Sequence, residues 1–213
     1  MIISFLNQKG GVGKTTLSIH IAANLSLLKY RVLLVDADVQ GSSFDWAAIR
    51  KAEPIFNIVG LHKPILHKEL KSLSKGYDFV IIDGPPRVYD VARSAIVSSD
   101  LVLIPIQPSP YDVWAAKEVV DLIEEVSAPI SEIKKIERAF VINRKISNTA
   151  IGRDVIEALE QYKTPVLNSH ICQRISYAES AAEGLTVMED NKDQLAIKEI
   201  NALTNEIIEK FYR

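Results

Sequence analysis

Residues 7 to 16 read Asn7-Gln8-Lys9-Gly10-Gly11-Val12-Gly13-Lys14-Thr15-Thr16, types suited to holding phosphate. Glycines let the backbone curl until successive N–H groups point inward at an anion. A lysine adds a full charge, and a hydroxyl beside it can ligate Mg²⁺. On this reading Lys9, Gly10, Gly11, Val12, Gly13, Lys14, Thr15 and Thr16 form a nucleotide-binding loop. Lys14 goes to the β- and γ-phosphates, and the Thr15 hydroxyl goes to the metal. Asp36 and Asp38 follow an apolar run. Hydrolysis needs a water held in line with the γ-phosphate and a group to orient or deprotonate it. Asp38 is the catalytic candidate for that water and a candidate metal ligand, while Asp36 is better placed to brace the loop or the magnesium shell. Asp83 ends another apolar run and is a candidate to hold Mg²⁺ directly or through water. Asn143 ends a third; its amide could read the adenine edge, or it could simply end a strand.

These residues need a frame. Residues 2–6, Ile2-Ile3-Ser4-Phe5-Leu6, are apolar but for Ser4 and read as a buried strand. Leu17, Ile21, Leu25 and Leu28 then recur at helical spacing. Further strands are expected at residues 32–36, 55–59 (weakly), 77–83, 101–106, 138–143 and 166–171. Helices are expected at 42–51, 64–73, 88–98, 111–126, 151–162, 176–183 and 193–211. Branched apolar runs without alternation fit strands covered on both faces, as in a parallel sheet. The alternation of strands and helices predicts an α/β, doubly wound, mainly parallel sheet, with residues 1–213 as a single domain. Ligands bind at the C-terminal ends of such strands, where Asp36, Asp83 and Asn143 fall.

Composition narrows the function. The 213 residues are 47% hydrophobic and 24% charged with a net charge of −2, so the whole molecule is not a polyelectrolyte binder. A lone Cys172 gives neither a disulfide framework nor a cysteine metal cluster, and fits a reducing cytoplasm. His20, His62, His67 and His170 are scattered without ligand spacing. The chain enters a core strand at once, so no signal peptide is expected, and it has no apolar run of membrane-spanning length.

In the general phosphate-loop pattern, G-x-x-x-x-G-K-[ST], the first glycine would fall at Gln8, and the additional Lys9 precedes the glycine pair. The stretch thus resembles the deviant Walker A motif, K-G-G-x-x-K-[ST], of the ParA/MinD family of ATPases. That resemblance implies a P-loop NTPase fold that hydrolyses ATP with Mg²⁺. It also implies that Lys9 reaches across a homodimer interface to the other subunit's phosphates, acting like an arginine finger. Asp36-Ala37-Asp38-Val39-Gln40 resembles the family's D-x-D-x-Q, with Val39 where proline is usual. Gly84-Pro85-Pro86 resembles its switch region. Residues 104–116, with Pro105, Pro108 and Pro110, look like the small ParA-type partition ATPases, including the ParF group. The sequence is expected to lack the helix-turn-helix extension of the larger partition ATPases.

The resemblance implies a slow, partner-stimulated ATPase of DNA segregation. An ATP-sandwich homodimer would bind DNA without sequence preference until a centromere-binding protein of the ParB or ParG type triggers hydrolysis. It would be cytoplasmic, and nucleoid-associated when ATP-bound. Arg144, Lys145, Arg153 and Arg174 are candidates for the DNA surface. A MinD-like protein would instead end in a basic amphipathic helix lying on a membrane. Here Ala196, Ile200, Leu203, Ile207 and Phe211 form one apolar stripe among mixed charges, as in a packed core helix, which argues against a membrane. A metabolic P-loop enzyme would need a second substrate site that the sequence does not display.

Overall fold

The computed structural model describes residues 1–87, 89–146 and 151–212; for residues 151–153 it describes the backbone. The expected helix start at Val88 and the side chain of Arg153 lie outside the described residues. Six strands form one sheet: β1 (Ile2–Phe5), β2 (Val32–Asp36), β3 (Asn57–Gly60), β4 (Phe79–Asp83), β5 (Leu101–Ile106) and β6 (Glu137–Ile142). Their order is β3-β2-β4-β1-β5-β6, and every pairing is parallel.

Each strand sends alternate side chains to opposite faces, because successive Cβ atoms alternate along extended chain. Phe79 and Ile81 of β4 enter one core, and Val80 and Ile82 enter the other. The first core is covered by α1 (Lys14–Leu27), α2 (Ser42–Ile49), α8 (Val187–Asp190) and α9 (Gln194–Phe211), with α7 (Ser176–Ala182) against α2 and α8. The second is covered by α3 (Leu66–Leu73), α4 (Tyr89–Ser98), α5 (Pro110–Ser127) and α6 (Ile151–Leu159). Helices on both faces explain why the inner strands are mostly apolar on both faces. The stripe of α9 lies where expected: Ala196, Ile200, Leu203 and Ile207 are fully buried.

One expected strand does not form. Residues 166–171 run beside β6: one isolated bridge joins Val166 to Phe140 of that strand, and a second, just beyond both, joins Cys172 to Lys145. Between them the N–H groups of Asn168 and Ser169 donate to the Glu206 carboxylate of α9, at 2.9 and 2.7 Å. A carboxylate that takes two successive amides leaves no ladder for them to join. The short helix α8 was not foreseen. It is fixed by a capping box in which Thr186 and Glu189 satisfy each other's backbone donors.

Candidate functional site

The phosphate loop leaves β1 and feeds α1, whose N-cap is Gly13 at φ 93°. A β-carbon at Gly13 would stand 2.2 Å from the Asn143 amide nitrogen, so this position needs glycine for space as well as for its dihedral. Gly11 also has positive φ, at 76°. Among the described residues, no atom lies within 4 Å of where a β-carbon at Gly10 or Gly11 would stand, so the space beside them is open. The first turn of α1 holds no acidic residue, and among the described residues no side chain caps it. Its N–H groups and partial positive charge therefore remain for an anion.

Two side chains from neighbouring strand ends, and one of the loop's own, fix the loop. Asn143 Nδ2 donates to the Val12 carbonyl at 2.7 Å. Gln107 Nε2 donates to the Gly11 carbonyl at 2.9 Å, and Asn7 Nδ2 donates to the Pro105 carbonyl at 2.8 Å. Lys14 is buried, and its Nζ donates to the Lys9 carbonyl at 3.3 Å. Burial lowers its pKa, while Asp83 and Asp38 act in the opposite sense.

Asp36 and Asp83 are register partners at the ends of β2 and β4 and are both buried. Asp36 is committed to its own turn: its carboxylate accepts from Asp38 N at 3.0 Å and Ser43 N at 3.1 Å. Burial raises its pKa in spite of those bonds. Asp38 is half-buried and accepts from Gln40 N at 3.0 Å. Asp83 is pushed up to about 7, first by burial and further by Asp36, against the bonds from Thr15 and Ser43 and the charge of Lys14. Ser43 Oγ donates to it at 3.1 Å. A buried carboxylate that is short of positive charge, beside a threonine hydroxyl, is a fitting ligand pair for Mg²⁺. Among the described residues no three His, Cys, Asp or Glu side chains converge as a metal cage. The donor set thus suits a cation shared with phosphate oxygens and water, as Mg²⁺ prefers.

The structure brings Gly10 through Thr16, Asp36, Asp38, Asp83 and Asn143 together at the C-terminal edge of the sheet. Lys9 stands apart from them: its Nζ lies 2.6 Å from Asp112 Oδ2, at the start of α5. Asn143 braces the loop and also lines a cavity of about 380 Å³ with Thr16, Arg144, Cys172, Arg174 and Tyr177. Of the basic candidates, Arg144 is exposed, and Lys145 Nζ lies 3.4 Å from His170 Nε2. Arg174, half-buried, is ion-paired with Glu199 at 2.6 Å and with Asp193 at 3.8 Å. Sequence reasoning did not single out Asn7, Ser43, Gln107 or Asp112 for the site. Asp112 reads in sequence as an ordinary first-turn acid of a helix, and the other three find partners only through the fold.

A phosphate loop at a helix N-terminus, followed by buried aspartates on neighbouring parallel strands, defines a P-loop nucleoside triphosphatase. The family model of the CobQ/CobB/MinD/ParA nucleotide-binding domain matches residues 3–187, and the chain belongs to that family, as an ATPase of the ParA/MinD type. It is 32% identical over 216 residues to the "Maintenance of carboxysome distribution protein A" of Halothiobacillus neapolitanus, across 97% of this chain and 95% of that protein. The fold matches apo McdA of Cyanothece with a TM-score of 0.78 at 17% identity, covering 97% of this chain and 98% of that one. It also matches a plasmid partition protein of Borrelia burgdorferi bound to AMPPNP, with a TM-score of 0.76 at 21% identity, covering 98% of both chains.

Proposed function

We propose that this chain is a positioning ATPase that works as an ATP-gated pair. Two copies loaded with ATP and Mg²⁺ close face to face, the pair binds DNA without sequence preference, and hydrolysis triggered by a partner protein releases it. The carrying observation is that the two lysines of the loop have separate stations. Lys14 is buried inside the loop, whereas Lys9 is half-exposed outside it and bonded to Asp112. One subunit's cradle is complete without Lys9, which leaves that ammonium for the phosphates of a second copy, where it would stabilise charge on the transferred group.

The remaining roles follow from placement. Lys14 and the amides of residues 10–16 bind the phosphates. Thr15 and Asp83 would hold Mg²⁺, with Asp38 at its outer shell; the ion would neutralise charge on the phosphate oxygens. Asp38 orients the attacking water, and Asp36 fixes the Asp38 turn. Asn143 serves the loop through Val12 and the base through the cavity that it lines. Among the described residues no helix is long and apolar enough to cross a membrane, and the apolar stripe of α9 is spent on the core. Both support a cytoplasmic protein that meets the nucleoid rather than a bilayer.

The cargo has two readings. A centromere held by a ParB- or ParG-type partner is favoured by the residue 104–116 stretch. A protein compartment is favoured by the 32% identity to a carboxysome distribution protein. The shared step is testable by co-sedimentation with DNA and with anionic liposomes, with and without ATP. DNA retention should need ATP and fall steeply with salt, because each phosphate neutralised by Lys or Arg releases counterions. Retention on liposomes alone, or DNA binding indifferent to nucleotide, would refute this reading.

A further inference from the structure

The resting place of Lys9 is itself a built feature. The Lys9 backbone is pinned on both sides: its N–H donates to Asn7 Oδ1 at 2.9 Å, and its carbonyl accepts from Lys14 Nζ at 3.3 Å. Only the four-carbon side chain is left to swing. It ends on Asp112, which is completely buried, 2.6 Å away.

Asp112 is the third residue of α5 after the N-cap Ser109, and an acid at that position ordinarily reaches back to the N-cap amide. Here the Ser109 amide donates instead to the Gln107 carbonyl at 2.8 Å, and among the described residues no side chain caps the helix. Asp112 Oδ1 is buried and has no hydrogen-bond partner among the described residues. The carboxylate is therefore spent on Lys9, helped only by the positive end of its helix. On either side of it in sequence Tyr111 and Trp114 are 71% and 65% exposed, so the pair lies just beneath the molecular surface.

We propose that Asp112 is the positioning residue for Lys9. It holds the ammonium within its own subunit, and pairing of two copies requires Lys9 to exchange Asp112 for the phosphates of a nucleoside triphosphate across the interface. This rests on the face-to-face pair proposed above. Withdrawing Lys9 strands a buried carboxylate, which is costly. The exchange is favourable only when the phosphates across the interface attract Lys9 by more than the cost of stranding Asp112, and the γ-phosphate adds the charge that tips this balance. A triphosphate outbids Asp112 where a diphosphate does not, so Asp112 sets the threshold that makes assembly selective for ATP.

The test compares wild type, Asp112→Asn, Asp112→Glu and Lys9→Ala. Dimerisation is followed by sedimentation against protein concentration, with ADP and with a non-hydrolysable ATP analogue. In parallel, acetylation of Lys9 in the nucleotide-free monomer is timed by mass spectrometry against the exposed Lys51. In the wild type Lys9 should label several-fold more slowly than Lys51, and faster at high salt. In Asp112→Asn it should label at the rate of Lys51. The dimer midpoint should fall roughly three- to tenfold, the range set by a half-exposed ion pair, and ADP should begin to support pairing. Asp112→Glu should restore slow labelling.

Unchanged labelling and midpoint in Asp112→Asn, with pairing lost in Lys9→Ala, would overturn the role of Asp112 and leave the paired site standing. Normal pairing in Lys9→Ala would overturn the paired site itself. Should Asp112→Asn not fold, the wild-type comparison decides alone: equal labelling of Lys9 and Lys51 refutes the hold.

Discussion

Asn143 is separated from Val12 by 131 residues, yet its amide holds that carbonyl in place and its nitrogen occupies the space a Gly13 side chain would need. Asn143→Asp would set a carboxylate against a carbonyl in a buried site, exchanging an attraction for a repulsion. Losing one buried hydrogen bond costs about 1–3 kcal/mol. If that loss falls on the bound loop, ATP affinity by calorimetry should fall roughly five- to 150-fold while the fold persists. His20 shows a different constraint. Its Nδ1–H donates to the Thr16 carbonyl at 2.7 Å, and its Nε2 accepts from Val187 N at 3.3 Å. Burial lowers its pKa to about 4, against the Thr16 bond and the charge of Glu189. The folded ring stays neutral where the unfolded one takes up a proton. Stability is therefore retained above pH 6.5 and lost as pH falls from there toward 4, by on the order of 3 kcal/mol. In urea titrations across that window, His20→Gln should flatten the slope. An unaltered slope would assign it to other groups.

At the scale of elements, α9 does more than cover a face. Glu206 accepts from Asn168 N, Ser169 N and Lys210 Nζ, the last at 2.7 Å, and so shapes the segment that runs back toward the cavity beside the loop. Burial alone would raise its pKa; the bonds from Lys210, Asn168 and Ser169 outweigh that and hold it at about 2. Its contribution is present above the usual glutamate range and lost as pH falls through about 2. Glu206→Ala leaves two amides without their acceptor, so unfolding in denaturant should show a loss of about 2–4 kcal/mol. A loss under 1 kcal/mol would mean that water takes over those amides. The same interaction marks where the sequence stops being legible. Runs such as residues 32–36 and 79–83 declare themselves as strands because both faces are buried and no partner need be known. Residues 166–171 have nearly the same look, but their amides belong to a carboxylate almost 40 positions away, which local patterning does not register. The aspartates at strand ends were legible because the loop residues gave them a context. Gln107, Asn7 and Asp112 were not, because their meaning lies in pairings about a hundred residues apart.

At the scale of the whole molecule, the sheet separates what is fixed from what can respond. The two halves of the core are built from alternate residues of the same strands, so neither face can slip without disturbing the other. Asp36 and Asp83 sit opposite each other on hydrogen-bonded neighbours, where the ladder sets their spacing. That pair works as a gauge block. The distance between the strand that begins the Asp38 turn and the strand that carries the candidate metal ligand is set by backbone hydrogen bonds, not by side-chain choice. If two copies pair as proposed, both present these carboxylates at the same fixed spacing, and adjustment to a bound nucleotide falls to the loops that leave the strands. Rigidity at the strand ends would then serve as a ruler that does not bend.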